Sequence, residues 1–207
     1  MKTPRYLFVK RPRRQSRHGL FSRRRLVGAL VTALALVAVS AAAAHHVVVI
    51  KGTPGDDALT GTASNDLILA RAGNDSVNAL AGRDRILAGW GNDTVDGGPD
   101  NDRIKGGPGN DILNGSDGDD KIRGRHGDDQ VDGGPGNDRL FVGRGVDVEL
   151  GGDGNDVLHA LARDNQVDSL DCGPGHDKVW LNANEQDTHV NCEVIKIVST
   201  SQPDDGK

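Results

Sequence analysis

The sequence predicts an all-β solenoid, in which short strands stack along one axis, rather than a conventional globular domain. Three observations lead to this fold class. A nine-residue unit repeats twelve times from residue 52 to residue 159 with no insertion. Only 35% of the 207 residues are hydrophobic and 3% are aromatic, which is little material for an ordinary core. Glycine contributes 29 residues, and it recurs at fixed positions of the unit.

The first 44 residues differ in composition from the rest of the chain. They contain ten of the 25 Lys and Arg residues and none of the 30 Asp and Glu residues. A basic region leads into the apolar run LVGALVTALALVAVSAAAA, which closes on small residues. We therefore predict a signal peptide over 1–44, cleaved before His45, and SRRRLV at 22–27 is similar to a twin-arginine signal. An uncleaved membrane anchor is the alternative, because the run is just long enough to span a bilayer.

The nine-residue unit has a fixed chemical pattern, with consensus G-G-x-G-N-D-x-U-x, where U is aliphatic. The eighth position is aliphatic in every repeat except one, where it is Glu149. A flexible acidic linker would not keep an aliphatic position in phase with its acids. The sixth position is aspartate in all twelve repeats: Asp57, Asp66, Asp75, Asp84, Asp93, Asp102, Asp111, Asp120, Asp129, Asp138, Asp147 and Asp156.

The two halves of the unit predict a turn followed by a strand. Glycine at the first, second and fourth positions allows positive φ angles and tight curvature. Proline at the third position of several repeats fixes φ within the same turn. The last three residues alternate outward, inward and outward, as in a short strand. One such strand buries nothing by itself, but stacked copies form columns of aliphatic side chains.

The phased glycine, aspartate and aliphatic positions of residues 52–159 resemble the hemolysin-type (RTX) calcium-binding nonapeptide repeat family. The resemblance implies a right-handed parallel β-roll, in which two nonapeptides form one coil, so that twelve repeats form about six coils. Residue i then lies above residue i+18, and consecutive repeats lie on opposite walls.

The resemblance also implies Ca²⁺ sites, up to about ten, between the sixth-position aspartates of repeats n and n+2. Because apolar residues are few and acids many, we expect the chain to fold only when Ca²⁺ binds. Backbone carbonyl oxygens complete the implied ligand set, near Gly89, Gly91, Gly98, Gly107, Gly109, Gly118, Gly127, Gly134 and Gly136.

Some repeats depart from the consensus. The repeats that begin at Ala70 and Ala79 lack the first two glycines, and weaker sites are expected there. The most regular sites are expected between Asp93 and Asp138.

One repeat has an acid at the inward position. A local register slip is predicted to turn Glu149 outward, so that Val146, Val148 and Leu150 share a face. Such a slip would disturb a regular calcium site at Asp147.

The regular repeat breaks down after residue 159. Residues 160–168 keep a trace of it, with Asn165 at the aspartate position and Val167 inward. Residues 169–171 are then predicted to be extra, and the frame restarts at Cys172, with Asp177 at the sixth position and Val179 at the eighth.

The two cysteines, Cys172 and Cys192, favour a disulfide in an exported chain, which would stabilise by roughly 3 kcal/mol. The surrounding segment resembles the closing segment of secreted bacterial repeat proteins of this type, and an open stack needs its edge covered. The predicted organisation is a lead-in over 45–51, repeats over 52–168, a disulfide-stapled cap over 169–195 and a mobile tail over 196–207.

The outward positions of the even-numbered repeats contain a series of cations, whereas the odd-numbered repeats have none there and include Asp96 and Asp132. One wall should therefore be basic. It either offsets the nearby aspartates or docks an anionic polymer, such as wall polysaccharide or extracellular DNA. The cations concerned are Arg85, Arg103, Lys105, Lys121, Arg123 and Arg139.

The motifs favour binding over catalysis. The chain contains no H-E-x-x-H, no G-x-S-x-G and no glycine-rich loop ending in Lys-Ser/Thr. We therefore expect a secreted or cell-surface calcium-binding protein with a structural or surface-interaction role, no lasting membrane span and no enzymatic activity. An extracellular hydrolase that uses the roll as a scaffold is the alternative.

Overall fold

The computed structural model describes residues 47–184 and 186–199, and these residues form seventeen short strands. In chain order they are β1 (Val48–Lys51), β2 (Ala58–Thr60), β3 (Asp66–Ala72), β4 (Ser76–Asn78), β5 (Arg85–Trp90), β6 (Thr94–Asp96), β7 (Arg103–Pro108), β8 (Ile112–Asn114), β9 (Lys121–His126), β10 (Gln130–Asp132), β11 (Arg139–Arg144), β12 (Val148–Leu150), β13 (Val157–Ala160), β14 (Ser169–Asp171), β15 (Lys178–Asn182), β16 (Thr188–Val190) and β17 (Val194–Val198). The predicted signal peptide lies outside the described residues.

The strands form two parallel sheets that the chain visits alternately. The odd-numbered strands form a nine-stranded sheet in chain order, and the even-numbered strands form an eight-stranded sheet. Within the regular repeats, paired residues are 18 positions apart, as in Ile86↔Ile104 and Val95↔Leu113. This confirms the predicted all-β parallel roll with two repeats per coil. No helix long and apolar enough to cross a membrane occurs among the described residues.

The roll extends beyond the twelve regular repeats at both ends. The lead-in contributes β1, and β14 to β17 continue the two sheets after residue 159. The solenoid therefore has about eight turns rather than six. The segment predicted as a cap consists of further turns, and β17 continues to Val198, past the predicted boundary at residue 195. The disulfide Cys172–Cys192 is present and joins consecutive turns, with its Cα atoms 5.2 Å apart.

The break in the repeat lies earlier than the sequence analysis placed it. Ser169–Asp171 form a regular strand, β14, and are not extra residues. The aspartate position is filled by Asp168 and the inward position by Leu170, which is 2% exposed. Asn165 and Val167 instead lie in the lengthened turn before them, and Val167 is 45% exposed. The longer turn leaves the strand register intact, because pairing of β14 with β12 and β16 fixes it.

The core is a narrow layer between the two sheets. Each regular repeat except the one with Glu149 contributes one aliphatic side chain at its eighth position, and the small first-position residues Ala70, Ala79 and Ala88 are fully buried beside it. The nine-stranded sheet contributes Ile68, Ile86, Ile104, Ile122, Leu140, Leu158 and Val179, and the eight-stranded sheet contributes Val77, Val95, Leu113, Val131 and Leu170. With one such residue per repeat, apolar burial alone is a modest source of stability.

The predicted register slip at Glu149 does not occur. Strand β12 pairs in register on both sides, with Glu149 opposite Val131 and Leu170, and its side chain is completely buried. Val146 and Val148 are exposed instead. A one-residue slip would break two parallel ladders at once, so the sheet keeps its register and encloses the acid. Neither carboxylate oxygen of Glu149 accepts a hydrogen bond.

Replacing Glu149 by leucine should stabilise the calcium-loaded protein. Leucine matches the aliphatic residues above and below it and removes a buried acid whose oxygens have no partner, a gain of about 1–3 kcal/mol in the free energy of unfolding. Glu149→Gln is the control, because it removes the charge but leaves an unpaired amide. Chemical denaturation measures the difference. A leucine variant less stable than the natural protein would contradict this description of the site.

Candidate metal centre

The twelve predicted aspartates form two columns along the edges of the roll. Each aspartate is the last residue of a turn, immediately before the outward residue that opens a strand, so the stacking of turns brings the side chains into line. One column precedes the strands of the eight-stranded sheet, and the other precedes those of the nine-stranded sheet. One contains Asp57, Asp75, Asp93, Asp111, Asp129 and Asp147, and the other contains Asp66, Asp84, Asp102, Asp120, Asp138 and Asp156.

Hydrogen bonds hold each column together. The backbone N–H of every one of these aspartates donates to the Oδ1 atom of the acid in the next turn of its column. Asp102 N–H donates to Asp120 Oδ1 at 2.6 Å, and Asp120 N–H donates to Asp138 Oδ1 at 2.7 Å. The stacking of residue i on residue i+18 is therefore as predicted.

The second oxygen of most of these carboxylates has no partner. The Oδ2 atoms are buried and accept no hydrogen bond in Asp75, Asp84, Asp93, Asp102, Asp111, Asp120, Asp129, Asp138, Asp147 and Asp156. A buried anionic oxygen without a donor is costly, and repeating it in every turn multiplies the cost. These oxygens are suitable ligands for a cation.

The first aspartate of each column differs from the others. Asp57 Oδ2 accepts hydrogen bonds from the Thr53 backbone N–H at 2.5 Å and from the Thr53 hydroxyl at 3.0 Å. Asp66 Oδ2 accepts a hydrogen bond from the Thr62 backbone N–H at 2.6 Å, and Asp66 Oδ1 accepts one from the Thr62 hydroxyl at 3.2 Å. Threonine at the second position of these repeats thus supplies donors that the later turns lack.

Glycine makes room for the carboxylates inside the turns. A Cβ atom on Gly97 would lie 2.6 Å from Asp102 Oδ2 and 2.9 Å from the carbonyl oxygen of Gly115, which is closer than real Cβ contacts. A carboxylate oxygen and a carbonyl oxygen therefore approach the same small space. The same arrangement recurs one turn later at Gly115, beside Asp120 and Gly133.

The nine glycines predicted to lie near the ligating carbonyls all have positive φ angles. Five of the nine stand at the fourth position of the repeat: Gly91, Gly109, Gly118, Gly127 and Gly136. In the described part of the chain, the carbonyls of these five accept none of the backbone hydrogen bonds that link one turn to the next. They supply unpaired oxygen atoms in the same turns as the unpaired carboxylates.

The donor set fits a hard cation with oxygen ligands. Nowhere in residues 47–184 and 186–199 do three or more His, Cys, Asp or Glu side chains converge on one point. A metal held here must therefore combine the aspartate columns with backbone carbonyls. Ca²⁺ accepts such mixtures of carboxylate and carbonyl oxygens, whereas Zn²⁺ and Cu²⁺ favour nitrogen and sulfur.

Burial makes these carboxylates hard to ionise when no metal is bound. Burial raises the pKa of Asp102, Asp129 and Asp138 to about 8, with the backbone hydrogen bond from the preceding aspartate opposing the shift and neighbouring carboxylates adding to it. Burial is also the main reason why the pKa of Asp84 and Asp111 rises to about 7. Stacked anions and scarce water thus work against the metal-free fold at neutral pH.

The columns continue past the predicted set. Asp147 N–H donates to Asp168 Oδ1 at 3.0 Å, and Asp156 N–H donates to Asp177 Oδ1 at 2.7 Å. Asp168 N–H and Asp177 N–H in turn donate to the side chains of Asp187 and Glu193. None of these four acids was among the predicted ligands. Asp177 was placed at the aspartate position of the restarted frame, whereas Asp168, Asp187 and Glu193 fall outside the nine-residue frame. Aliphatic Leu170 and Val179, two residues after Asp168 and Asp177, were the available signal.

The six predicted cations of the basic wall also lie together. They occupy β5, β7, β9 and β11, which are adjacent in the nine-stranded sheet, and their side chains alternate with the inward aliphatic residues.

The model of the RTX calcium-binding nonapeptide repeat family matches the chain at residues 51–86, 69–104, 87–122, 105–140, 114–149 and 150–183. Together these matches cover well over half of the 207 residues. No curated protein matches the sequence.

The metal-free protein should become more ordered as the pH falls. The pKa of Asp102, Asp129 and Asp138 is about 8 in the roll against 3.8 without burial, so the folded state binds more protons and its relative stability is lost as the pH rises towards 8. Far-UV circular dichroism in chelator should show more β-structure at pH 5 than at pH 8. With saturating Ca²⁺ the trend should reverse, because protons compete with the metal. A chelated protein that gains structure as the pH rises would contradict the assignment.

Proposed function

The chain belongs to the RTX calcium-binding nonapeptide repeat family, and we propose that it acts outside the cell as a structural module whose roll is assembled by Ca²⁺. Calcium binding follows from the family. The observation that carries the rest of the proposal is the series of buried carboxylate oxygens that have no hydrogen-bond donor.

The aspartate columns are the proposed metal ligands. The twelve sixth-position aspartates would supply anionic oxygens from two successive turns, and the nearby glycine carbonyls would supply neutral ones. Bound Ca²⁺ contributes two positive charges in a buried turn, where the attraction to stacked carboxylates is strong. Asp57 and Asp66 are the weaker candidates, because threonine already satisfies their Oδ2 atoms.

Calcium would act as a structural element of this fold. Each ion between two turns would convert repulsion between stacked anions into a link between the turns. Because the sites exist only when the turns are stacked, binding and folding are coupled. The roll would therefore respond to the difference between low intracellular and high extracellular calcium.

An extracellular location is proposed from the sequence and the disulfide together. The basic and apolar features of residues 1–44 are those of an export signal. The Cys172–Cys192 disulfide is typical of proteins in oxidising compartments. The role that combines these features is a calcium-dependent module at the cell surface or in the surrounding matrix.

Removing one column carboxylate should weaken calcium-induced folding. Asp120→Asn keeps the side-chain size but removes an anionic oxygen from two adjacent sites, so the Ca²⁺ concentration at the folding midpoint should rise about tenfold. Asp117→Asn is the matched control, because it makes the same charge change at an exposed position three residues away. Circular dichroism during a calcium titration measures both midpoints. Equal midpoints for the two variants would contradict ligation by the column.

Export should remove the N-terminal segment. Mass spectrometry of the protein recovered from the culture medium should give a chain that begins at His45, because small residues precede that position. An intact N-terminus, or retention of the protein inside the cell, would contradict this part of the proposal.

A further inference from the structure

The outer surface of the nine-stranded sheet has a concentrated positive charge. Arg85, Arg103, Lys121 and Arg139 are consecutive partners across β5, β7, β9 and β11. Lys105 and Arg123 form a second row beside them. We call the surface formed by these six residues the basic face.

The two rows of the basic face contain no acids among the described residues. When both rows are followed along the described strands from β3 to β17, the other residues in them are uncharged or are further cations. The corresponding rows of the eight-stranded sheet contain Thr94, Ile112 and Gln130 in one and Asp96 and Asp132 in the other. The two walls therefore differ in charge although they are built from the same repeat.

The cations of the basic face are close enough to repel one another. Lys121 is paired with Arg103 on one side and with Arg139 on the other, each on the adjacent strand. Among the described residues, Arg85, Arg103, Lys105, Lys121 and Arg139 form no ion pair with a carboxylate. In the part of the chain that the structure describes, no ion pair joins these five cations to the aspartate columns, although three column aspartates, Asp84, Asp102 and Asp120, line the same cavity as the first row. The five cations lie side by side on adjacent strands, an arrangement suited to an external polyanion.

Two further arginines extend this surface despite an unfavourable backbone. Arg71 and Arg125 have φ angles of 89° and 103°, and Arg125 is paired with glycines in β7 and β11. Glycine would occupy this left-handed conformation without strain, so arginine here has a stability cost. Arg125 pairs with Gly107, two residues along β7 from Lys105, so its charge adds to that of the basic face. Leu80 and Ser116 adopt a similar backbone without a charge, so the φ angle alone does not explain the arginines.

We propose that the basic face binds an acidic polysaccharide, with the polymer chain lying along the axis of the roll. The rows are straight, and successive cations are one strand spacing apart, about 4.8 Å. This is close to the length of one sugar unit in an extended polysaccharide, so each carboxylate or sulfate of the polymer can meet a cation in turn.

Nucleic acids fit this surface less well. Duplex DNA has one phosphate per strand for about every 3.4 Å of helix axis, and its strands wind around that axis and curve away from a flat face. Single-stranded nucleic acid is bound by open aromatic surfaces. Here the rings of Phe141 and His159 stack with centroids 4.3 Å apart, Trp180 follows at 5.9 Å, and Lys196 covers the Trp180 ring. Lys121 and Arg123 lie over the Phe141 ring, 5.1 and 5.3 Å from its centroid, so the rings within the second row are occupied. The exposed Trp90 lies at the end of β5, outside both rows.

This inference rests on the calcium-dependent fold proposed above, because the rows exist only in the stacked roll. The experiment must therefore separate loss of the fold from loss of the surface. Circular dichroism in saturating Ca²⁺ is recorded for every sample, and binding is interpreted for variants that reach the natural β-signal. Failure to fold with Ca²⁺ would contradict the calcium proposal, whereas normal folding without binding would contradict only the present one.

The variant Arg103→Gln/Lys121→Gln/Arg139→Gln neutralises the centre of the basic face. Its matched control, Thr94→Glu/Ile112→Glu/Gln130→Glu, changes the net charge equally at exposed positions of the opposite wall. The probe is a short galacturonate oligomer, too short to gel with Ca²⁺, and its methyl-esterified form is the neutral counterpart. Affinity is measured over a range of NaCl concentrations.

The basic-face variant should bind the oligomer at least about tenfold more weakly than the natural protein. The slope of log affinity against log salt concentration should fall in magnitude by about two to three, which corresponds to the loss of two to three ionic contacts. The control should retain at least half of the natural affinity, and the methyl ester should not bind. Equal losses in both variants would overturn the proposal, since net charge and not the face would then be responsible. Tighter binding of single-stranded DNA, or of vesicles containing anionic phospholipid, would overturn it in favour of another occupant.

Discussion

The repulsion between stacked carboxylates is the constraint on which the rest of this structure depends. A turn that ends in aspartate recurs every nine residues, and the roll places these acids above one another at the spacing of adjacent strands. One oxygen of each is satisfied by a backbone amide, while the other is buried without a donor in ten of the twelve predicted positions. A divalent cation between the turns would supply the missing partner and relieve the repulsion, and metal binding and folding would then be coupled.

This constraint leaves the walls of the roll comparatively unrestricted. The inward residues form a thin aliphatic layer, and glycine keeps the turns narrow enough for oxygen atoms to converge. The outward residues take part in neither task. The nine-stranded sheet has arginine and lysine there, and the eight-stranded sheet has neutral and acidic residues. Under the two proposals made above, calcium would provide the scaffold and one wall would provide recognition, and each set of residues could change without the other.

The sequence predicted the features that follow from a strict period. Asp102 and Ile104 lie where a nine-residue repeat places them, as do the two sheets and the 18-residue register. Prediction from the sequence failed where the local preference of one residue conflicted with the pairing of its strand with both neighbours. Glu149 was expected to turn outward because burying an acid is costly, but β12 is held by ladders on both sides and stays in register. Asp168 was missed because the longer turn precedes the strand, a choice that only pairing with neighbouring turns decides. Calcium ligation by the aspartates stays a prediction.

The measurement that tests this account most directly is a calcium titration of the exhaustively chelated mature protein at neutral pH, followed by far-UV circular dichroism together with hydrodynamic radius. The account requires an expanded chain with little strand signal in chelator, and a cooperative contraction into β-structure as Ca²⁺ is added, with no comparable change in Mg²⁺. A chelated chain that is already compact and rich in strands would contradict it. So would a chelated chain that stays unfolded when Ca²⁺ is added in excess.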